Sequence, residues 1–314
     1  MNMPATRPLV SVLVPLYNHA RYVNRCLDSV LEDGHPRIEI IIIDDGSKDN
    51  SAALAQQWFD GHDPVVIERF ELESRPNRGV TRTLNELVAK ARGDFVILLA
   101  SDDYLLPGGI AARLEYLRLH PAKLAVFGDC IVVDDDGNKT YDSGIADLND
   151  GHIECLMRDD LLALELIFNW CVPGPGFMAR RELYDQIGLY DENLTVEDWD
   201  MYLRITARGS LGFTPGPVAA YRYHGGNSVI NETSKMAQLD SLMKTAWKNY
   251  RMFRGVQRFG LLYKHFKLKQ ETAVVLRRTM TGYVNRKICK LLYSLSIRRY
   301  KKIIENLAKG RNPQ

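Results

Sequence analysis

The sequence predicts an α/β protein: a mixed, mainly parallel sheet flanked by helices, followed by a C-terminal helical segment. Three observations lead there. Short apolar runs rich in β-branched residues alternate with amphipathic stretches through residues 9–133, the pattern of a doubly wound sheet. Three of those runs stop at polar clusters: Pro15-Leu16-Tyr17-Asn18, Asp44-Asp45-Gly46-Ser47 and Asp102-Asp103. Beyond residue 232 no strand pattern remains and the charge balance reverses.

Leu9–Val14 is a continuous apolar run, as expected of a strand covered on both faces. Tyr22–Leu31 places Val23, Leu27, Val30 and Leu31 at helical spacing, and Ile38–Ile43 is a second buried strand. A helix over Asp49–Trp58 follows, with Asp49 or Ser47 as its cap. Val65–Phe70 reads as the third strand and Val80–Ala91 as a helix with Leu84, Leu87, Val88 and Ala91 on one face. Phe95–Leu99 is the fourth strand. Pro107 opens the next helix, with Ile110, Leu114, Tyr116 and Leu117 on its apolar side.

Lys123–Phe127 and Ile131–Val133 read as strands, and Asp136-Gly137-Asn138 as a turn. Residues 144–165 show no usable period. Arg180–Gly188 and Asp198–Arg208 resemble short helices, and Val218–Tyr223 a strand. From Thr233 onward the chain reads as helices. The expected division is one domain over 1–232, with halves at about 8–130 and 131–232, and a basic helical region over 233–314.

Composition narrows the class. Of 314 residues, 46% are hydrophobic and 25% charged, which suits an ordinary globular core. The five cysteines are scattered without a CxxC or Cys/His cluster, so neither a zinc site nor a disulfide framework is expected. No secretory signal pattern is apparent, and no apolar run reaches the roughly 20 residues of a membrane span. A cytoplasmic setting is the expectation. The net charge of +2 hides an asymmetry. Residues 235–314 hold 20 Lys and Arg against 3 Asp and Glu, whereas the remainder holds 21 against 36. Such a split suggests two jobs in one chain.

In a parallel sheet the carboxyl ends of the strands share one edge, so the three polar clusters converge although they are distant in sequence. Each cluster alone reads as a turn or a helix cap. Together they have the makings of a nucleotide site. Tyr17 offers an aromatic face for a base, and Asp45 an acceptor for an imide N–H, which favours uracil or thymine and leaves guanine open. Asp102 and Asp103 cannot neutralise a diphosphate themselves, but with Mg²⁺ or Mn²⁺ they can, because hard cations take carboxylate and phosphate oxygens together. Neither a GxGxxG turn nor a GxxxxGK[ST] loop is present, so a dinucleotide-dependent dehydrogenase and a phosphate-loop enzyme are not indicated.

The string Ser11-Val-Leu-Val-Pro-Leu-Tyr-Asn18, Ile40-Ile-Ile-Ile-Asp-Asp-Gly-Ser47, Asn77-Arg-Gly79, Gly93-Asp-Phe and Ser101-Asp-Asp103 closely resembles glycosyltransferase family 2. The resemblance covers about residues 8–225. It implies a Rossmann-like GT-A fold with a nucleotide-sugar half and an acceptor half. It also implies an inverting enzyme using a nucleotide-diphosphate sugar and a divalent metal. By position, Pro15, Tyr17 and Asp45 would contact the base, with Asn18, Gly46 and Ser47 beside them. Asp102 would lie by the ribose or metal, and Asp103 would be the main metal ligand. Residues 77–85 would line the donor pocket, with Arg78, Gly79 and Arg82 among them.

Glu197-Asp198-Trp199-Asp200 resembles the acidic motif of the family, in which Asp198 would be the general base. An acceptor hydroxyl is a poor nucleophile until a carboxylate takes its proton. His224, in Tyr221-Arg-Tyr-His-Gly-Gly-Asn-Ser228, would coordinate the metal or touch the diphosphate. Trp170, Glu197 and Trp199 are the acceptor-side candidates. The implied acceptor is a glycan or a lipid-linked sugar, and the implied setting is surface polysaccharide synthesis.

The basic region has two compatible readings. Its apolar residues, from Leu239 and Trp247 to Ile303 and Leu307, sit among Lys and Arg at helical spacing. Such helices pack on a protein core or in a homo-oligomer, or they lie on an anionic membrane surface at the inner face of the cell membrane. A non-catalytic binding module for a membrane or a partner is the rival reading of the whole chain. Nucleic-acid binding through residues 235–314 is a further rival, though no recognised nucleic-acid motif accompanies the charge.

Overall fold

The computed structural model describes residues 7–62, 67–225, 235–275 and 279–310. Contacts group the chain into two units: Met1–Asn149 with Val172–Tyr190 and Ser210–His224, and Asp150–Cys171 with Asp191–Gly209 and Gly225–Gln314. The sequence boundary expected near residue 232 and the expected strand start at Val65 lie outside the described residues.

The first unit begins with β1 (Val10–Leu16), α1 (Val23–Glu32), β2 (Ile38–Asp44), α2 (Ser51–Asp60), β3 (Ile67–Ser74), α3 (Val80–Lys90) and β4 (Phe95–Leu98). It continues with β5 (Tyr104–Leu105), α4 (Gly109–Leu119), β6 (Ala125–Val133) and β7 (Lys139–Tyr141). Along the chain then come α5 (Ile153–Leu156) and α6 (Asp159–Phe168) of the second unit, β8 (Phe177–Arg180) and α7 (Leu183–Ile187) of the first, and α8 (Glu197–Ala207) of the second. β9 (Leu211–Arg222) closes the first unit, and α9 (Lys235–Asn249), α10 (Gly255–Val275), α11 (Thr279–Leu295) and α12 (Ile297–Ala308) belong to the second.

The sheet order is β3-β2-β1-β4-β8-β6-β9-β5, with β7 paired to β6. β3, β2, β1 and β4 run parallel. β8 is antiparallel to both β4 and β6, and β6 and β9 are parallel again, so the second half of the sheet is mixed. Ile38–Ile43 is buried throughout because its strand is covered on both faces. The core joins Val10, Val12 and Val14 of β1 to Val23, Leu27 and Val30 of α1 and Ile40 and Ile42 of β2.

Several elements depart from expectation. α4 starts at Gly109 rather than at Pro107, because Gly108 turns the chain at φ 77°. The Ile110 amide then donates to Asp33 Oδ2 at 2.9 Å, a cap supplied from the end of α1. α2 has Asn50 at its cap position without a side-chain bond, while Asp49 Oδ1 accepts from the Ser51 amide at 3.0 Å. The two strands expected over 123–133 are one strand. Its middle slips register against β9 at Gly128–Cys130, where Asp129 accepts from the Ile145 amide at 3.1 Å. Arg180–Gly188 is the end of β8 followed by a shorter helix, α7.

In the second unit, Ala163 and Ile167 of α6, Trp199 and Leu203 of α8, Ala246 of α9 and Leu261 of α10 form one apolar core with Phe253. α6 and α8 therefore pack with the C-terminal helices. Tyr300 of α12 joins Cys155, Leu161 and Leu164 in a second cluster. Its phenol donates to buried Glu165 at 2.7 Å.

Candidate active site

Strand register places the first site residues side by side. Leu16 pairs with Asp44, and Asp44 with Ser74. The next residues, Tyr17, Asp45 and Arg75, therefore emerge together at the carboxyl edge of the parallel strands, where open α/β sheets hold ligands. Pro15 is the penultimate residue of β1, half-buried beside Ile43. Tyr17 is 42% exposed, so its ring face is available for stacking.

Backbone hydrogen bonds tie the loops of this edge together. Asn18, at φ 54°, donates its amide to Ser47 Oγ at 2.8 Å and accepts from the Lys48 amide at 2.7 Å. Ser47 in turn donates its amide to Asp44 Oδ1 at 3.1 Å. Gly46 has φ +79°, and a Cβ there would lie 2.8 Å from the Asn77 amide nitrogen, so only glycine lets the 75–79 loop close over it.

Asp45 is buried and held by that loop. Its Oδ1 accepts from the Arg78 amide at 2.7 Å and from the Arg75 guanidinium, and its Oδ2 from the Gly79 amide at 2.9 Å. Three of its roughly four acceptor positions are thus taken by protein, leaving one for a ligand. Arg75 also donates to Glu86 at 2.8 Å and to Thr83 at 2.9 Å. Arg78 contributes its amide to this arrangement, while its side chain pairs with Glu86 at 3.3 Å.

The end of β4 carries the second cluster. Asp102 Oδ2 lies 3.1 Å from His224 Nε2 and 3.7 Å from His19 Nε2. Each of the three residues offers a ligand atom within 4.8 Å of the others. His19 Nδ1 is hydrogen-bonded to Ser101 Oγ at 2.8 Å, and its amide donates to Ser51 Oγ at 2.8 Å. Burial lowers the His19 pKa, against the opposing pull of Asp102, which keeps the imidazole neutral and able to ligate. Burial works to raise the Asp102 pKa, but the His224 hydrogen bond and the nearby His19 outweigh it and hold Asp102 below the usual range.

Asp103, expected as the main metal ligand, does not join this group. It is buried and accepts from the Arg222 amide at 2.8 Å. Burial, and then the charge of Asp102, push its pKa well up. Arg222 fixes the turn: its Nε donates to the Asp102 carbonyl at 3.0 Å, and its guanidinium reaches the carbonyls of Asp134 and Asp135 at 2.8 and 3.0 Å.

Two imidazoles and one carboxylate fit a divalent cation that accepts nitrogen as well as oxygen. That donor set suits Mn²⁺ better than Mg²⁺, which prefers an all-oxygen shell. His19, Asp102 and His224 are the residues that would hold it. The residues Gly226-Asn227-Ser228 that follow His224 lie outside the described residues.

The acidic motif belongs to the second unit, at the start of α8. Glu197 and Asp198 are half-buried, and the dense surroundings raise both pKa values, that of Glu197 further through the charge of Asp198. Trp199, expected at an acceptor surface, is fully buried and donates its indole N–H to the Leu166 carbonyl at 2.9 Å. It is a core residue, because it points between α6 and the C-terminal helices. Trp170 is half-buried, edge-on to Tyr202 at 5.2 Å, and keeps an open portion.

His19, Arg75 and Arg222 are absent from the sequence-based site. His19 follows Tyr17-Asn18 by one residue, and Arg222 sits two residues before His224, so adjacency to the polar clusters was the available signal. Arg75 follows β3, the one parallel strand of the four whose end carries none of the three polar clusters.

Comparison with known proteins identifies the family. The family model described as "Glycosyl transferase family 2" matches residues 11–188, more than half of the chain. An uncharacterized glycosyltransferase of Rickettsia bellii is 26% identical over 225 residues, 69% of this chain but 30% of that protein. The fold is shared with a mannosyltransferase from Pyrobaculum calidifontis solved with GDP-Man and Mn²⁺ (TM-score 0.62, 18% identity, 93% of this chain and 86% of that one). It is shared also with residues 1–349 of Staphylococcus aureus TarS solved with UDP-GlcNAc (TM-score 0.66, 15% identity, 96% and 92%). These are GT-A folds. With the matched segment running from the first strand through both acid-bearing strand ends to α7, the chain belongs to glycosyl transferase family 2 and is a glycosyltransferase.

Proposed function

We propose that the chain is an inverting, metal-dependent transferase. It moves a sugar from a nucleotide-diphosphate donor, of UDP or dTDP type, to a hydroxyl of a glycan or lipid-linked acceptor. The single observation that carries this reading is the His19–Asp102–His224 group at the same sheet edge as Tyr17 and Asp45. Tyr17 stacks on the base. The remaining acceptor position of Asp45 takes its imide N–H, while Arg75, Arg78 and Gly79 hold the carboxylate in place.

When bound, the cation neutralises the diphosphate and the charge developing on it. Arg222 keeps Asp102 in position to hold that cation. Asp198 takes the proton of the acceptor hydroxyl, and its raised pKa keeps it basic enough to do so near neutrality. Attack from the face opposite the diphosphate inverts the anomeric carbon. Trp170 and Glu197 belong to the acceptor side of this proposal.

Among the described residues no helix is long and apolar enough to cross a membrane. A cytoplasmic enzyme working peripherally at the inner membrane face is part of the same proposal, supported by the basic character of residues 235–314. A thermal-shift panel of UDP, dTDP and GDP sugars with and without Mn²⁺ tests it. Stabilisation by a uridine or thymidine donor that requires Mn²⁺ is the expected result. No metal-linked stabilisation by any donor contradicts it.

A further inference from the structure

A cavity of about 300 Å³ opens within the second unit. Lys264 and Lys267 of α10 and Lys301 of α12 line it, together with Tyr263 and Tyr293. Phe168 and Ile297 supply an apolar wall. Among the described residues no carboxylate lines it.

Its charge is poorly compensated. Lys267 lies 3.8 Å from Glu271, an exposed pair of little energetic weight. Among the described residues Lys264 and Lys301 form no ion pair. The Lys264 ammonium stands 4.7 Å from the ring centroid of Trp199. Burial, with repulsion from Lys267, lowers the Lys264 pKa to about 8. Three lysines and two tyrosines lining one space give it a positive, donor-rich wall that favours a multiply charged anion. The apolar wall leaves room for a hydrocarbon tail.

We propose that this cavity is a phosphoryl-binding site, taking a phosphate or diphosphate group that is either free or at the head of an amphiphile. It shares no residue with the strand-end site, and its test needs neither metal nor sugar nucleotide. A failure of the donor assignment therefore leaves the result intact, and the reverse holds too.

The test is calorimetric titration of the full chain with inorganic pyrophosphate and, separately, with dihexanoyl phosphatidic acid below its micelle concentration, against chloride at matched ionic strength. Saturable binding in at least one arm is expected, weakened about tenfold in Lys264→Gln and in Lys301→Gln. Lys302→Gln, which removes the same charge from an exposed neighbouring position, is expected to bind as the parent does. Tighter binding of the lipid phosphate assigns the site to an amphiphile, and equal binding assigns it to the free anion. Absence of saturable binding in both arms, or an equal loss in Lys302→Gln, overturns the proposal. Lys301 is exposed, so its variant keeps the test decisive if Lys264→Gln fails to fold.

Discussion

His224 Nε2 lies 3.1 Å from Asp102 Oδ2, joining the end of β9 to the end of β4 across 122 residues of sequence. With His19 Nε2 3.7 Å from the same oxygen, the three residues make a candidate ligand set at the strand end. Asp102→Asn and His224→Ala are each expected to weaken Mn²⁺ affinity by at least about tenfold. Isothermal titration with Mn²⁺ and a nucleoside diphosphate measures it. Unchanged affinity in both variants removes the cluster from metal binding.

Asp198→Asn is expected to lower transfer by about 10²–10⁴-fold while leaving the donor Kd near that of the parent. The base acts only when ionised, so kcat/KM rises as pH rises through its apparent pKa, raised to about 6 by burial. Glu197 titrates with it, and the two protons belong to the pair. A flat profile between pH 5 and 8, or full activity in the asparagine variant, takes Asp198 out of the reaction.

Arg75 and Asp45 form an ion pair whose two side chains are each 7% exposed. Arg75→Met strands the Asp45 carboxylate with only its two amide donors. The expected cost is about 3–5 kcal/mol of stability, read by chemical denaturation at neutral pH. A loss below about 1 kcal/mol would show that the pair is not what anchors the loop.

Gly46→Ala forces a Cβ to within 2.8 Å of the Asn77 amide nitrogen at a φ of +79°. The 75–79 loop must lift, and Asp45 loses its amide donors. The expected stability loss is about 1–3 kcal/mol, accompanied by weaker nucleotide binding. A variant that folds and binds like the parent contradicts the closeness of these two loops.

Much of the nucleotide half of the fold was legible because its strands are short apolar runs between amphipathic helices, as Ile38–Ile43 and Val80–Lys90 illustrate. α6 was not. Leu161, Leu162, Leu164, Leu166 and Ile167 are all buried, so the helix has no polar face to mark its period. β5 has two residues and β8 four, too short for a pattern to accumulate. The edge location of Tyr17, Asp45 and Asp102 follows from parallel strand ends. The different surroundings of Asp102 and Asp103 do not. They depend on the Arg222 amide, 119 residues away, and on which carboxyl the histidines face. Trp199 was misread for a related reason: an aromatic beside two acids gives no sign that its ring fills a core.

Anomalous diffraction from crystals grown with Mn²⁺ and UDP bears on the central claim most directly. The account predicts a manganese peak bonded to Asp102, His224 and His19, with the diphosphate on its open side and the uracil over Tyr17. A peak bonded elsewhere, with these three side chains unligated, contradicts it.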